Sequence, residues 1–357
     1  MSIVHKYLAK EIFKYIGIVL GAVVSIYVAV DFFEKVDDFI EANIGFSKII
    51  TFFIFETPFI IFQIIPVCIL LSVLVVFGLM SKNNEIVALK SSGVSVYYLL
   101  KPVLFIGFVA TVLLFLFSDI IVPITREKAN NIWLRQVRHD SFISKYEDIW
   151  LKDNRLIVHI KSYNKEDESV SGLTLNFFDD DFRLQRRIDA KKGVFRHGKW
   201  VLYDLMEQVL DKEKKGYNVI LREKMAEKFN LLPEDMKRVA KKSEEMSFSE
   251  LREYIKKVET EGYDATTYRV DLFAKTAFPF VCIVMCLAGT GVALRGKMKD
   301  GLPVSITYGI GIAFFYWIFY SFCVSLGYGE VLPPVISVWT ANFVFICFGV
   351  LLLLNAE

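Results

Sequence analysis

The sequence predicts an α-helical membrane protein with six transmembrane helices, three on either side of an inserted, water-exposed all-β domain. Three observations predict it. Six apolar segments, near 12–33, 52–79, 99–121, 271–294, 302–325 and 332–354, each reach the ~20 residues that a hydrocarbon core demands. The stretch between the third and the fourth, 123–268, carries polar turns such as Lys152-Asp153-Asn154-Arg155 and Asp179-Asp180-Asp181, which cannot lie in lipid. Within it, apolar residues alternate with the period of a strand.

Composition sets the outer limits. At 54% hydrophobic residues the chain is too apolar for a soluble globule, and its formal net charge of +2 is spread along the sequence rather than gathered in a stripe, so nucleic acid is excluded as a partner. All five cysteines lie in the apolar thirds. Cys282 and Cys286 share a helical face but have no histidine or carboxylate beside them, and no metal site follows.

The first span begins after Lys6, Lys10 and Lys14. Its apolar run, Tyr15 to Val30, ends in Asp31-Phe32-Phe33-Glu34 with no small-residue cleavage site, so it reads as a retained helix rather than a signal peptide. Lys82, Lys90 and Lys101 flank the loop between spans two and three, and Arg295, Lys297 and Lys299 that between spans four and five. By the positive-inside rule both loops and both termini are cytoplasmic. The loop after span one holds Glu34, Asp37, Asp38 and Glu41 and faces outward with the β domain, which in a double-membraned bacterium is the periplasmic side.

Inside the domain the period-two sets are Leu156, Val158 and Ile160, then Leu173, Leu175 and Phe177, then Val201, Leu205 and their neighbours. Gly172, His197-Gly198 and Lys215-Gly216 punctuate them, a pattern that fits a sandwich, a jelly roll or an open barrel with an apolar inner face. After Pro233 the pattern turns helical. Ser247-Phe248-Ser249-Glu250 forms a capping box before Leu251, Tyr254, Ile255 and Val258, and Gly262 ends the helix.

Few motifs carry chemistry. Gly291 to Met298 has phosphate-loop spacing but ends in Met where Mg²⁺ needs a hydroxyl, and it follows a membrane helix rather than a strand. No cofactor is therefore expected in this chain, and if the protein uses ATP, a partner hydrolyses it. No Gly-x-Ser-x-Gly or His-Glu-x-x-His occurs, and His5, His139, His159 and His197 are scattered, so a hydrolytic enzyme has no constellation to stand on. Residues 82–93 read as a short helix with Asn83 or Asn84 as cap, Glu85 in its first turn, Ile86 and Leu89 on one side and Gly93 past its end. Such a helix suits docking into a partner's groove. Of the polar residues in the spans, Asp31, Glu56, Gln63, Asp119, Asp271 and Lys275, most lie near outer ends, and Asp271 with Lys275 has the spacing of a local ion pair. Span five is aromatic all round, from Phe314 to Phe322, while Gly309 and Gly311 permit close approach of a helix.

Taken together these residues resemble one family over nearly the whole length: the lipopolysaccharide-export permeases LptF and LptG, nearer to LptG. The resemblance rests on His5-Lys6-Tyr7-Leu8, on Glu85-Ile86-Val87-Ala88-Leu89-Lys90-Ser91-Ser92-Gly93, on Ile149-Trp150-Leu151-Lys152-Asp153, on Arg183-Leu184-Gln185, on Lys275 to Pro279, and on Leu332-Pro333-Pro334 with Trp339.

It implies a non-catalytic permease with helices one to three in 1–122, a periplasmic jellyroll-like domain in 123–268 with a helical connector near 248–261, and helices four to six in 269–357. It also implies the partners: an LptB-type ATPase dimer, a second permease, LptC and LptA in the periplasm, and lipopolysaccharide as cargo. Glu85, Ile86 and Leu89 would couple to the ATPase. Phe32 and Lys35 on span one, Tyr316 and Tyr320 on span five, and Leu175 and Phe177 in the domain would meet the cargo. The family's basic cluster at the outer end of span one is here mostly acidic, with only Lys35 available. The rival readings are the paralogous LptF, a membrane-anchored envelope enzyme and an envelope scaffold.

Overall fold

The computed structural model describes residues 3–133, 137, 145–153, 155–164, 169–196, 199–211, 216–227, 242–260, 262, 264–295 and 302–355. In chain order the helices are α1 (Ile3–Glu41), α2 (Phe46–Lys82), the short α3 (Glu85–Ser91), α4 (Val96–Ile132), α5 (Phe248–Thr260), α6 (Thr266–Arg295), α7 (Leu302–Tyr328) and α8 (Pro334–Leu354). A 3₁₀ turn, Ser243–Glu245, precedes α5. Six of these helices are long and apolar enough to cross a membrane.

The first three spanning helices overshoot their expected ends. They hold 39, 37 and 37 residues, which at ~1.5 Å per residue is nearly twice a hydrocarbon core of ~30 Å. α4, expected to stop at 121, continues through Pro123 to Ile132. A proline inside a membrane helix is tolerated where neighbouring helices support the freed backbone, and the extra turns carry Arg126 and Asn130 out to the 3₁₀ turn.

α6 is the axis of the bundle. Val281, Cys282, Val284, Met285, Cys286 and Ala288 are fully or almost fully buried among α2, α4, α7 and α8. Its glycines explain the closeness. A Cβ on Gly291 would lie 3.0 Å from the carbonyl oxygen of Gly349 in α8, so the glycine that opens the phosphate-loop-like spacing serves helix packing. Asn342 adds a polar tie, donating to the Ala277 carbonyl at 2.9 Å and accepting from the Tyr316 hydroxyl at 2.7 Å. α1 sits at the edge, burying only Leu8, Ile12 and Phe39.

The inserted domain is a six-stranded antiparallel sheet: β1 (Lys145–Asp153), β2 (Leu156–Asn164), β3 (Ser169–Phe178), β4 (Leu184–Arg196), β5 (Lys199–Asp211) and β6 (Gly216–Glu227). The strand order, which periodicity leaves open, is sequential from β1 to β6. Side chains directly opposite one another, Val158, Leu175 and Ile188, build the inner face.

One line across the sheet breaks the alternation. On β2 the buried residues change parity between Ile160 and Tyr163, on β3 between Val170 and Leu173, on β4 between Ala190 and Gly193, and on β5 between Leu202 and Leu205. The register stays continuous there, and Gly172 (φ +65°) and Asp204 (φ +49°) lie on the line. Strands that turn a corner switch the face they bury. The single sheet thus bends over along this line, and buried residues from both sides of it form one core. This corrects the expected pairing of Val201 with Leu205: they lie on opposite sides of the corner, and Trp200 and Leu202 take the buried places.

The connector follows its sequence signals closely. The Ser247 amide donates to Glu250 at 2.9 Å and the Glu250 amide to the Ser247 hydroxyl at 3.3 Å, a reciprocal capping box. Leu251, Tyr254, Ile255 and Val258 are the buried face of α5.

Candidate functional site

Three regions carry the residues singled out from sequence, and they lie at different levels of the molecule. At one end of the bundle α3 closes the turn between α2 and α4. Asn84 takes the cap position in a left-handed conformation (φ +57°) without a side-chain cap bond. Gly93 (φ +78°) follows the last turn, where its amide reaches the Lys90 carbonyl and that of Val94 the Leu89 carbonyl, each at 3.0 Å. This paired closure needs a residue at ease with positive φ, hence glycine.

The apolar side of α3 turns inward. Ile86 is 8% exposed and Leu89 packs against the main core, whereas Val87 is 58% exposed. The two residues expected to dock on a partner instead seat the helix on its own bundle, because a single turn or two of helix is stable in water only against a surface. The outward face belongs to Val87, Ala88 and Lys90. Glu85 accepts from Tyr7 of α1 at 3.4 Å and from Asn83 at 3.2 Å. His5, whose ring lies 4.3 Å from that of Tyr98, holds the start of α1 against α4.

At the opposite end, Lys35 pairs with Asp31 at 2.7 Å and lies over the rings of Phe52 and Trp133. Phe32 packs with Phe53, 5.8 Å between centroids. Arg126, which the expected end of the third span left outside the membrane, is the organising cation here. It pairs with Glu56 of α2 and, at 3.3 Å, with Glu244 of the 3₁₀ turn, and lies 4.2 Å from the Phe59 ring centre. Asn130 donates to Glu245, and Asp119 accepts from the Phe248 amide at 2.6 Å. The connector is thereby fastened to the ends of α2 and α4. The expected local pair between Asp271 and Lys275 does not form; Asp271 accepts from the Tyr328 hydroxyl at 2.6 Å.

On α7, Tyr316 and Tyr320, the two residues expected to meet the cargo, both turn inward. Tyr316 is 1% exposed, drawn inward by its bond to Asn342, and Tyr320 lines a cavity inside the bundle. The open face of α7 carries Phe314, Phe315, Ile318 and Phe322, and that of α1 carries Ile26, Val30 and Phe33.

In the sheet, Leu175 is wholly buried among the domain's own side chains, and Phe177 stands at the rim. The folded-over sheet leaves the apolar face filled rather than open. At its margin Arg186 bonds Glu207 at 2.7 Å and Glu227 at 3.0 Å, and lies over the Phe177 ring. Burial works against the charged guanidinium, but the hydrogen bonds to Glu227 and Glu207 outweigh it and hold the Arg186 pKa above its ordinary value. Among the described residues no cluster of histidine, cysteine and carboxylates could hold a metal ion.

The profile of the lipopolysaccharide export system permease LptF/LptG family matches residues 6–355. Among individual proteins, the lipopolysaccharide export system permease protein LptG of Escherichia coli K12 is 23% identical over 360 residues, covering 99% of this chain and 98% of that one. The LptG protein of Haemophilus influenzae is 19% identical over 322 residues, covering 89% and 88%.

Proposed function

Because the chain belongs to the LptF/LptG family of lipopolysaccharide export permeases, we propose that it is the LptG-type subunit of an ATP-driven exporter that draws lipopolysaccharide out of the inner membrane. The observation that carries the coupling is the seating of α3, anchored inward by Ile86 and Leu89 while Val87, Ala88 and Lys90 face out. That outward face, with Glu85 at its start, is the surface offered to an LptB-type ATPase dimer, which binds the ATP and Mg²⁺. The lysine-rich loops support a cytoplasmic α3 and a periplasmic β domain by the positive-inside rule. The open faces of α1 and α7 meet the second permease, LptF, and enclose the cargo between them. The domain hands the cargo to LptC and LptA.

The energetics require the coupling. Each acyl methylene leaving lipid costs about 0.8 kcal/mol, so several chains together keep the cargo in the bilayer unless work is done on it. Glu85→Ala is expected to lower cargo-stimulated ATPase activity of the assembled exporter by roughly tenfold, the equivalent of one lost charge-assisted contact, with the isolated ATPase unchanged. Val87→Glu, at an exposed position that leaves the bundle untouched, should strip the ATPase from the purified complex. Unaltered ATPase recovery and transport in both variants would sink the coupling role of α3.

The rim of the domain supplies a second measurement. A photocrosslinker at Phe177 is expected to capture lipopolysaccharide only while ATP is hydrolysed, whereas one at the filled position Leu175 disturbs the core. Capture at Phe177 that ignores ATP would argue against a conveyed cargo.

A further inference from the structure

Inside the bundle, between α2, α4, α6, α7 and the 3₁₀ turn, lies a cavity of about 400 Å³ whose lining includes Phe62, Gln63, Lys275, Phe278, Trp317 and Tyr320. It is separate from the open helix faces. No described residue of α1 lines it, and the α7 residues it uses, Trp317, Tyr320 and Tyr328, are not the exposed Phe314, Phe315 and Phe322.

The polar groups around it are unevenly satisfied. Its acceptors are engaged: Asp271 by the Tyr328 hydroxyl at 2.6 Å and Glu244 by Arg126 at 3.3 Å. Nearby Asp119 is held by the Phe248 amide at 2.6 Å. Its donors are not. The Lys275 ammonium, the Gln63 amide, the Trp317 indole N–H and the Tyr320 hydroxyl make no hydrogen bond or ion pair to a described residue. The carboxylates of Asp119, Asp271, Glu244 and Glu250 lie within electrostatic range of the Lys275 ammonium, but a buried charge that makes no hydrogen bond still carries a desolvation cost, and an unused neutral donor adds a further cost. Four donors, one of them charged, ask for an oxyanion.

The rest of the lining defines what the oxyanion is attached to. Phe62, Phe278 and Trp317 form a continuous aromatic wall, with ring centres 4.8 and 5.7 Å apart. The volume lies at the small end of the ~300–1,000 Å³ usual for sites that take drug-sized ligands. It accommodates a headgroup and the start of a chain, not a body of many chains. We propose that this cavity binds the anionic headgroup of a single membrane amphiphile, its phosphate oxygens held by Lys275, Gln63, Trp317 and Tyr320 and its apolar portion laid on the aromatic wall.

The test uses the assembled exporter, stripped of lipid in neutral detergent and titrated with phosphatidylglycerol, retention being read by native mass spectrometry. One phosphatidylglycerol is expected to stay on the wild type and to bind at least about tenfold more weakly to Lys275→Met, which keeps the length and removes the charge. Lys275→Arg should retain it, and Tyr320→Phe should lose it several-fold while leaving the charge in place. Equal retention by the wild type, Lys275→Met and Tyr320→Phe would overturn the site, as would equal retention of phosphatidylcholine. Inorganic phosphate that raises the melting temperature as much as phosphatidylglycerol does would overturn the amphiphile. Lipopolysaccharide that displaces phosphatidylglycerol one for one would overturn a site separate from the cargo path. These outcomes are read without transport, so they stand apart from those that test the exporter assignment.

Discussion

Arg126→Met is expected to destabilise the bundle by roughly 3–5 kcal/mol, the usual cost of leaving a buried charge without its partner. Glu56 is only 7% exposed, and Arg126 is the cation that neutralises it while also holding Glu244 of the turn before α5. Methionine fills much of the same space, so the loss isolates the charge. The same logic makes a second variant informative. Glu56→Gln together with Arg126→Met removes both charges and should recover most of the stability, because an apolar or neutral replacement of a whole buried pair is often harmless. Unfolding of the purified protein in graded denaturing detergent, run as a double-mutant cycle, measures both effects. If the double variant is no more stable than Arg126→Met alone, Arg126 acts through Glu244 and the connector rather than through Glu56.

Trp200→Ala is expected to have an effect of similar size on the β domain, about 3–5 kcal/mol. Trp200 is the largest of the fully buried side chains and packs against Phe195 at 5.3 Å between ring centres. It sits beyond the corner, where the folded-over sheet depends on a few large groups. Gly193 makes the room: a Cβ there would come within 2.7 Å of a Val170 methyl carbon and 3.1 Å of a Leu202 methyl carbon. Loss of the indole leaves a cavity that the surrounding strands cannot collapse to fill. Limited proteolysis should then cut within β4 to β6 while the six membrane helices stay intact. A domain that remains protease-resistant in Trp200→Ala would mean that its core is held mainly by the half before the corner.

Much of this architecture was legible in the residues. Apolar runs long enough to cross a bilayer have no other stable resting place, so all six spans could be read from length alone. The capping box at Ser247 and Glu250 and the stop at Gly262 are local chemistry, decided within a few residues, and both stand where the spacing puts them. The helix ends are less legible. Once a helix leaves the lipid, hydropathy no longer follows it, and the apolar run of the third span stops short of Arg126, the residue that organises that end of α4. The side chains of α3 and α7 show a related limit. Ile86 and Leu89 share a face and span five is aromatic all round, but periodicity says only that a face is apolar, not whether it rests on the same chain, on lipid or on a partner.

The sequence by itself determined the class of the molecule: six spans, a polar insertion built of strands, a capped connector and a short helix punctuated by Gly93. These depend on transfer from water to lipid and on local backbone preference, which each residue carries with it. Only the tertiary structure decided which way the helices turn, that Arg126 joins α2, α4 and the connector, that Lys275 and three neutral donors line one cavity, and that the sheet folds over at Gly172 and Asp204 to bury its own face. Those depend on contacts between residues far apart in the chain, where the free energy belongs to the pair and neither member announces it alone.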